Sequence, residues 1–337
     1  MASLKISLVV PVKNEVDSIA RLLNSIAMQT RPPDEVLIVD GGSTDGTALL
    51  IEAWANERKL DDWVRVLRVD EATPGKGRNI GIAAASHEWI ALTDAGIRLE
   101  ATWLERLAHR AEDHPPLAVV YGNYEPVSQT FFERCAALAY VAPKQVRGGY
   151  LMRAPSIASV LMRREVWQAV GGFPDLRAAE DLIFMRGIEE RGFKTGWVQD
   201  ATVWWQLQPT LGCTFRKFVS YSRHNVLAGQ QRYWHYGVAR QYAVWLAAAA
   251  LALLASKWFW LLPVAGTGAR VAKNIWQRRD GRGLWWLLNP AQFALVAAIL
   301  LTIDLATFTG WAQALLATRR EDLSDDSNAP EPQRAKP

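Results

Sequence analysis

The stretch that decides the fold runs from Ile6 to Thr47 and contains ISLVVPVKNE (Ile6–Glu15) and VLIVDGGSTDGT (Val36–Thr47). Ile6–Val10 and Val36–Val39 are short apolar runs rich in β-branched residues, as expected for strands covered on both faces. Apolar residues recur between them at helical spacing, so the segment predicts a β-α-β unit.

The second predicted strand ends at Asp40, and a glycine-rich turn follows it. A carboxylate at the carboxyl end of a parallel strand lies where open α/β sheets bind ligands. Glycines in the turn let a ligand approach the backbone closely. An ordinary strand-turn-helix junction, with Ser43 or Thr44 capping the next helix, gives the same pattern. The residues alone leave both interpretations open.

The string PVKNE, followed by VDGGSTDGT, resembles the nucleotide-sugar half of family 2 glycosyltransferases, and the resemblance extends to about Asn225. It implies an α/β fold with a GT-A-like mixed sheet flanked by helices, including a Rossmann-like nucleotide-binding half. It also implies that the first motif and Asp40 hold the nucleoside of a nucleotide-sugar donor. The first-motif residues assigned to this site are Pro11, Val12, Asn14 and Glu15.

The basic segment Pro74–Ala85 places Lys76 and Arg78 at the start of a predicted helix. Unpaired N–H groups and a partial positive charge at a helix start suit a diphosphate, whereas a solvated basic turn is the alternative. The resembling family carries an Arg-Asn pair here, which Arg78 and Asn79 match. Lys76, Arg78 and Asn79 are therefore assigned to the donor site.

The next strand, Trp89–Thr93, is followed by Asp94-Ala95-Gly96, where most members of the resembling family carry Asp-x-Asp. The resemblance implies that the first carboxylate, matched by Asp94, contacts the donor and that the second binds a divalent metal on its diphosphate; Asp94 is the remaining carboxylate of the motif and is assigned to the metal as well. Gly96 replaces the second carboxylate, and Mg²⁺ or Mn²⁺ prefers carboxylate oxygens. A weakened metal site is expected, and a helix cap for a predicted helix over Leu99–His109 is the alternative role of Asp94.

Asp181 follows Glu180 at the start of an amphipathic run, shortly after Gly171-Gly172-Phe173. Acidic residues in a first helical turn commonly interact with the helix dipole. Inverting sugar transfer needs a carboxylate that takes the proton of the acceptor hydroxyl. The resemblance assigns this catalytic role to Asp181, because the family places its base at the Asp of such a Glu-Asp pair.

Three further segments carry expectations. Phe131–Gly149, with Lys144 and Arg147, is either the start of an acceptor cleft or a plain core helix and loop. Gly196–Val198 and Thr202–Trp205 predict a closing hairpin. Gln206 stands near the position where some members of the family direct a His toward the metal, which is a second departure from their pattern.

The last third of the chain is apolar and rich in Trp. Tyr242–Ala255 is an uninterrupted apolar run of about 21 Å as a helix, and extending it to Val264 gives a full membrane span. A second segment, Leu284–Leu316, is also long enough. Two spans would place the basic stretch between them outside, against the positive-inside rule, whereas hairpin or re-entrant segments would keep it inside. A soluble helical subdomain is the remaining alternative.

These patterns divide the chain into a glycosyltransferase-like domain over residues 1–237, membrane-associated helical segments over 238–318 and a disordered tail over 319–337. The first apolar run is too short for a signal peptide, so the front domain is expected on the cytoplasmic side of the cell membrane. The net charge of +4 and the lack of basic runs with interleaved aromatics exclude a nucleic-acid partner. Cys135 and Cys213 indicate neither zinc nor a disulfide scaffold.

The sequence as a whole therefore predicts an inverting glycosyltransferase that moves a sugar from a nucleotide-diphospho-sugar to a membrane-associated acceptor, either lipid-linked or a polysaccharide. A non-catalytic membrane protein that binds nucleotide sugars is the first alternative, because Gly96 removes a metal ligand. A nucleotidyltransferase is the second, although PVKNE lacks the longer Gly-rich basic loop of that class.

Overall fold

The computed structural model describes residues 3–232, 234–283, 286 and 289–327, with side chains as far as residue 317. The chain forms two compact units. The first contains the chain up to Gln208 and the returning segment Asn274–Leu288, and the second contains Pro209–Lys273 and the chain from Asn289. The division thus falls at Gln208 and not at the predicted residue 237, because the helix after Gln208 packs along the last helix.

Most strands of the first unit belong to one sheet. The described strands of this unit are β1 (Ile6–Val12), β2 (Glu35–Asp40), β3 (Val64–Arg68), β4 (Trp89–Leu92), β5 (Ile97–Leu99), β6 (Val119–Val127), β7 (Gln145–Arg147), β8 (Tyr150–Met152), β9 (Val160–Arg163) and β10 (Thr195–Gln206). Eight of them form a mixed sheet in the order β3-β2-β1-β4-β9-β6-β10-β5, while β7 and β8 form a separate hairpin. Strands β1 to β4 run parallel, and β9 is antiparallel to both β4 and β6.

Helices connect these strands and form the second unit. They are α1 (Ile19–Ala27), α2 (Thr47–Glu57), α3 (Pro74–Ala84), α4 (Trp103–Asp113), α5 (Phe131–Tyr140), α6 (Arg164–Val170), α7 (Glu180–Glu190), α8 (Leu211–Leu227), α9 (His235–Leu254), α10 (Leu261–Gln277) and α11 (Pro290–Ser327). Short 3-10 helices occupy Ile157–Ser159 and Lys257–Trp260.

The sheet has a hydrophobic cluster on each face. Ile6, Leu8 and Val10 of β1 belong to the cluster that includes α1, α2 and α4, whereas Val9 belongs to the cluster that includes α3, α6 and α7. Successive side chains of a strand point to opposite faces, so β1 reads as a continuous apolar run because both faces are covered. The predicted mixed sheet flanked by helices is thus present, and it brings the ends of β1, β2 and β4 to one edge.

Two predictions of local structure were wrong. The predicted hairpin of Gly196–Val198 and Thr202–Trp205 is one strand, β10, with an irregularity between Trp197 and Thr202. Both halves of β10 pair in parallel with β6, so the chain does not reverse. The predicted helix at Leu99–His109 begins only at Trp103, because residues 97–99 form β5 and pair with β10.

The second unit contains two helices that are long and apolar enough to cross a membrane by length and composition, His235–Leu254 and Pro290–Ala317. The predicted extension of the first apolar run to Val264 is interrupted by a break after Leu254. The second predicted segment forms a helix from Pro290, while residues 284, 285, 287 and 288 lie outside the described residues. Helix α11 includes 319–327 of the predicted disordered tail, and 328–337 lie outside the described residues.

Candidate functional site

The predicted nucleoside-binding residues lie on two adjoining loops at the carboxyl ends of β1 and β2. Val12 pairs in register with Asp40. The Asp40 carboxylate is buried and accepts hydrogen bonds from the Ser43 hydroxyl at 2.5 Å and the Ser43 amide at 3.2 Å. The N-cap residue of α2 is Gly46, so neither Ser43 nor Thr44 caps this helix as the alternative interpretation required. Asp40 therefore holds the glycine-rich turn in place at the sheet edge.

The motif after β1 is tied to the same turn. Asn14 adopts a left-handed backbone with φ of +55°. Its amide donates to the Ser43 hydroxyl at 2.8 Å, and its side-chain oxygen accepts from the Thr44 amide at 2.9 Å. The Glu15 amide donates to the Thr47 hydroxyl at 2.8 Å. The two motifs thus form one hydrogen-bonded loop pair, and their contact with a nucleoside stays a prediction.

Pro11, Val12 and Lys76 take different positions. Val12 is buried in the core cluster, while Pro11 supports α3, because a Cβ added at Gly77 would lie 3.1 Å from the Pro11 Cβ. The Lys76 side chain is exposed at the start of α3, and its amide donates to the capping hydroxyl of Thr73 at 3.2 Å. Of these three residues, Lys76 is the one whose side chain reaches solvent at a helix N-terminus.

Arg78 lies at the centre of the predicted site. Its guanidinium donates from Nη2 to Asp94 Oδ1 at 2.7 Å and from Nη1 to Glu180 Oε1 at 2.9 Å. The Arg78 side chain is 5% exposed and that of Glu180 8%, whereas the side chain of Asp94 is 44% exposed. Burial alone would lower the pKa of Arg78, but the two carboxylates raise it above its ordinary value. Arg78 therefore stays charged and joins the β4 edge to the start of α7.

An aromatic pair supports this arginine. The Arg78 guanidinium lies 5.4 Å from the ring centroid of Phe173, which stacks on Phe184 at 3.9 Å. Gly75 is required beside it, since an added Cβ would lie 2.2 Å from the Pro174 carbonyl. No role for Phe173 or Glu180 was predicted from the sequence. The signals that could have identified them are their positions, since Phe173 directly follows Gly171-Gly172 and Glu180 directly precedes Asp181.

The side chain of Asn79 bonds the backbone of Phe173 and the ring nitrogen of Trp167. Its side-chain oxygen accepts from Trp167 Nε1 and from the Phe173 amide, each at 2.8 Å, and its Nδ2 donates to the Phe173 carbonyl at 2.7 Å. A side-chain amide that bonds both groups of one backbone residue fixes that residue's position. The structure therefore gives Asn79 a positioning role for the Phe173 turn, and its assignment to the donor itself stays a prediction.

Asp181 lies in the first turn of α7, after a constrained backbone. Ala179 has φ of +67°, a left-handed conformation that costs a non-glycine residue about 1–3 kcal/mol. Ala179 occupies the N-cap position and makes no side-chain cap, so Asp181 is not the helix cap. Thr102 likewise precedes α4 as its N-cap, which removes the capping alternative for Asp94.

The pKa values of the Glu180 and Asp181 carboxyl groups, in the first turn of α7, are both raised. Burial raises the pKa of Asp181, Arg78 opposes that rise, and the charge of Asp94 adds to it. Burial likewise raises the pKa of Glu180, Arg78 opposes it, and Asp181 adds to it. The Arg78 guanidinium is thus bonded to the carboxylates of Asp94 and Glu180, and its charge also lowers the pKa of Asp181. A carboxylate with a raised pKa is a stronger base than an ordinary one, which suits proton removal from a hydroxyl.

The residues present provide a small donor set for a divalent metal. Within the part of the chain that the structure describes, His, Cys, Asp and Glu form no group of three that could hold a metal. Asp94 already bonds Arg78, and Gly96 contributes no side chain. An added Cβ at Gly96 would meet Glu15 Oε2 at 3.9 Å and no nearer atom. The set therefore fits a metal held mainly by a donor diphosphate, with Asp94 as the protein ligand.

The remaining predicted residues are engaged elsewhere. Gln206 Nε2 donates to Glu133 Oε1 at 3.2 Å. Lys144 forms an ion pair with Glu125 at 2.9 Å, and the Arg147 guanidinium lies 5.7 Å from the Trp197 ring. Phe131–Gly149 consists of α5 and part of the β7–β8 hairpin, so both a cleft wall and a plain structural role remain open for it.

Comparison with known proteins independently supports the resemblance to family 2 glycosyltransferases. The profile described as Glycosyl transferase family 2 matches residues 7–166. Glycosyltransferase AglE of Haloferax volcanii is 27% identical over 202 residues, which cover 58% of this chain and 64% of that protein. The poly(ribitol-phosphate) beta-N-acetylglucosaminyltransferase TarS of Staphylococcus aureus is 34% identical over 113 residues, covering 33% of this chain and 19% of TarS. This chain thus spans less than two thirds of either relative.

One solved structure confirms the fold. The mannosyltransferase PcManGT of Pyrobaculum calidifontis, solved with GDP-Man and Mn²⁺, superposes with a TM-score of 0.53. The alignment covers 94% of this chain and 88% of that protein at 20% identity. At this identity the likeness establishes the architecture, so the predicted GT-A-like arrangement of sheet and helices is confirmed.

Proposed function

We propose that this chain, whose residues 7–166 match the Glycosyl transferase family 2 profile, catalyses an inverting transfer of a sugar from a nucleotide-diphospho-sugar to a membrane-associated acceptor. The observation that carries the proposal is the buried Arg78, bonded to both Asp94 and Glu180 beside Asp181. A protein that only bound nucleotide sugars would have no use for a carboxylate with a raised pKa at that point.

The proposed chemistry is a single displacement. The acceptor hydroxyl oxygen forms a bond to the anomeric carbon while the bond from that carbon to the diphosphate breaks. Asp181 takes the proton of the hydroxyl, and the nucleoside diphosphate leaves with the bonding electron pair. Attack opposite the leaving group inverts the anomeric configuration. The raised pKa of Asp181 supports this role because it increases proton affinity.

Arg78 and Lys76 are proposed to meet the negative charge of the leaving diphosphate. A preorganised cation costs little reorganisation when charge develops, which makes this type of stabilisation a large catalytic term. Arg78 is held by two carboxylates, so its position is fixed before a donor binds. Lys76 adds a mobile charge at the α3 N-terminus, where backbone N–H groups also favour anions.

A divalent metal, Mg²⁺ or Mn²⁺, belongs to the proposal in a limited role. Asp94 would hold it together with the donor diphosphate, and when bound it would offset negative charge on that diphosphate. The small protein donor set supports a weak site. The other assigned donor contacts are Pro11, Val12, Asn14, Glu15, Asp40 and Asn79.

The acceptor and the location are proposed from the second unit. Its exposed apolar helices support membrane association, which holds a lipid-linked or polysaccharide acceptor and the enzyme at one surface. We place the first unit, which accounts for most of the predicted domain 1–237, on the cytoplasmic side of the cell membrane, where nucleotide sugars are made.

The test uses purified full-length protein in detergent with a panel of nucleotide sugars. Thermal shift with and without Mn²⁺ identifies the donor, since a ligand that binds only the folded state raises the melting temperature. Release of nucleoside diphosphate is then measured with the best donor and a membrane lipid extract. Turnover supports the enzyme, whereas a thermal shift without any turnover would favour a non-catalytic binding protein.

A further inference from the structure

The second unit has an apolar surface that its own core does not use. Only 11% of the apolar window of α9 is buried, which is unlike a core helix of a soluble protein. Leu253 and Leu254 at the end of α9 are 78% and 86% exposed, and Trp258 in the following 3-10 helix is 70% exposed. We call Leu251–Val264 the hairpin tip.

Individual side-chain contacts link helices α9 and α10 on either side of this tip. A Cβ added at Gly266 would lie 3.1 Å from Trp245 Nε1, so these two residues face each other. Nearer the base, Tyr242 and Arg270 both bond the buried Asp304, the Tyr242 hydroxyl at 3.1 Å and Arg270 Nη2 at 2.9 Å. Residues 242 and 270 are nearly equidistant from the break, as a helical hairpin requires.

The longer segment that contains α8 and the hairpin starts and ends in one unit. The chain leaves the first unit after Gln208 and rejoins it at Asn274, immediately beyond α10. Within that unit, Arg278 Nε donates to the Val141 carbonyl. A compact unit lies on one side of a membrane, so the segment that starts and ends in it must return to the side from which it came.

Helix α11 is also unsuited to cross alone. Its Gly310 contacts the backbone of α8, where an added Cβ would lie 2.4 Å from the Val219 carbonyl. The Ser222 hydroxyl of α8 donates to the Thr307 carbonyl at 2.7 Å. Helix α8 carries Arg216, Lys217 and Arg223, and charged residues are costly in hydrocarbon. The half of α11 that packs on α8 therefore lies outside the hydrocarbon core.

We infer that α9 and α10 insert as one hairpin into a lipid bilayer from the side of the first unit and return to that side. Lys257 is the single charged residue between Arg240 and Arg270, so the inserted part is almost uncharged. The flanking basic residues suit anionic headgroups, and they are Arg240, Lys273, Arg279 and Arg282. Tyr242 and the break are 13 residues apart, about 20 Å of helix, which is less than the hydrocarbon thickness of about 30 Å.

This arrangement keeps the basic stretch after α10 on the same side as the first unit, in agreement with the positive-inside rule. The inference rests on the membrane association proposed above and is independent of the transfer reaction. Its tests therefore use sidedness and lipid binding, and no activity measurement.

The first test maps the side of the membrane. In a background of Cys135→Ser and Cys213→Ser, single cysteines are introduced as Gln277→Cys at the end of α10 and as Asn56→Cys in α2, both at exposed positions. A membrane-impermeant maleimide is added to sealed membrane vesicles of each orientation. We expect the two cysteines to be labelled in vesicles of the same orientation and to be protected in vesicles of the other orientation. Labelling from opposite sides would overturn the hairpin while leaving membrane association intact.

The second test concerns the tip itself. Leu253→Asp with Leu254→Asp is compared with the control Leu49→Asp, a 65% exposed leucine on α2. Full-length proteins are mixed with vesicles of phosphatidylcholine and phosphatidylglycerol and separated by flotation. The double variant is expected to lose about tenfold or more in lipid-bound fraction, while the control floats like the wild type. Wild-type flotation of the double variant, or a change confined to its oligomeric mass, would overturn the inference.

Discussion

Arg78 Nη1 donates to Glu180 Oε1 at 2.9 Å, although 102 residues separate the two in the chain. The bond joins the α3 N-terminal turn to the first turn of α7, and both side chains are buried. Each helix start carries a residue assigned to chemistry, Lys76 on one and Asp181 on the other. The pair therefore couples the proposed diphosphate site to the proposed base.

Removal of this arginine should cost much stability. In Arg78→Met, Glu180 remains buried without its cation, so we expect the unfolding free energy to fall by about 3–5 kcal/mol at neutral pH. The matched control is Arg68→Met, which breaks the Arg68–Glu52 pair whose side chains are 52% and 46% exposed. That change should cost about 0–1 kcal/mol. Equal melting temperatures for both variants in detergent would contradict a structural role for Arg78.

Asn79 should act through the Phe173 turn. Asn79→Ala removes three hydrogen bonds, worth about 1 kcal/mol each, so we expect a loss of about 2–4 kcal/mol in stability. Donor affinity, measured by thermal shift at a temperature where the variant is folded, should change by less than about threefold. A large loss of donor affinity at normal stability would instead support direct contact between Asn79 and the donor.

The pH below which turnover falls, the acid limb of the pH–activity profile, should depend on Asp94. A base works only when ionised, so turnover falls as pH drops through the pKa of Asp181, which lies above its ordinary value. Asp94→Asn removes a charge that raises that pKa, so the limb should move to lower pH. The position of the acid limb is measured from turnover at saturating donor over a range of pH. The control is Asp200→Asn, which removes a carboxylate from an exposed ion pair. A limb that stays in place or moves upward would exclude this coupling.

Position 96 tests the metal. Gly96 has room for a side chain, and an Asp there would lie beside Glu15. Gly96→Asp should therefore lower the melting temperature in the absence of metal, because the two carboxylates repel each other. Addition of Mn²⁺ and donor should restore the melting temperature. Half-saturating Mn²⁺ should fall about tenfold relative to wild type, while Gly96→Ala should not change it. An unaltered half-saturation in a folded Gly96→Asp protein would mean that the ion is held elsewhere.

The local motifs of the site were predictable because each carries its own structural signal. The runs Leu8–Val12 of β1 and Val36–Val39 of β2 are entirely apolar, which makes their assignment clear, and Asp40 is the last residue of β2. Thr73 before Pro74 gives α3 an N-cap and a proline in its first turn, which fixes Arg78 near its start. These signals lie within a few residues of the groups that they position.

The partners of those residues were not predictable, because they depend on long-range pairing. Nothing local to Arg78 indicates that Glu180 will meet it, and nothing local to Asn79 indicates Phe173. The irregularity in β10 looked like a reversal for the same reason, since its pairing with β6 decides the chain direction. The break after Leu254 separates two apolar helices, and the polar residues Ser256 and Lys257 are the local signal for it.

The central claim is that Asp181 removes a proton during sugar transfer, and its most direct test is the turnover of Asp181→Asn. The substitution keeps size and shape but gives up proton affinity. With the donor found in the panel, the account predicts nucleoside diphosphate release reduced by about 10²-fold or more, with donor affinity nearly unchanged. Turnover near the wild-type rate in the Asn variant would contradict the account.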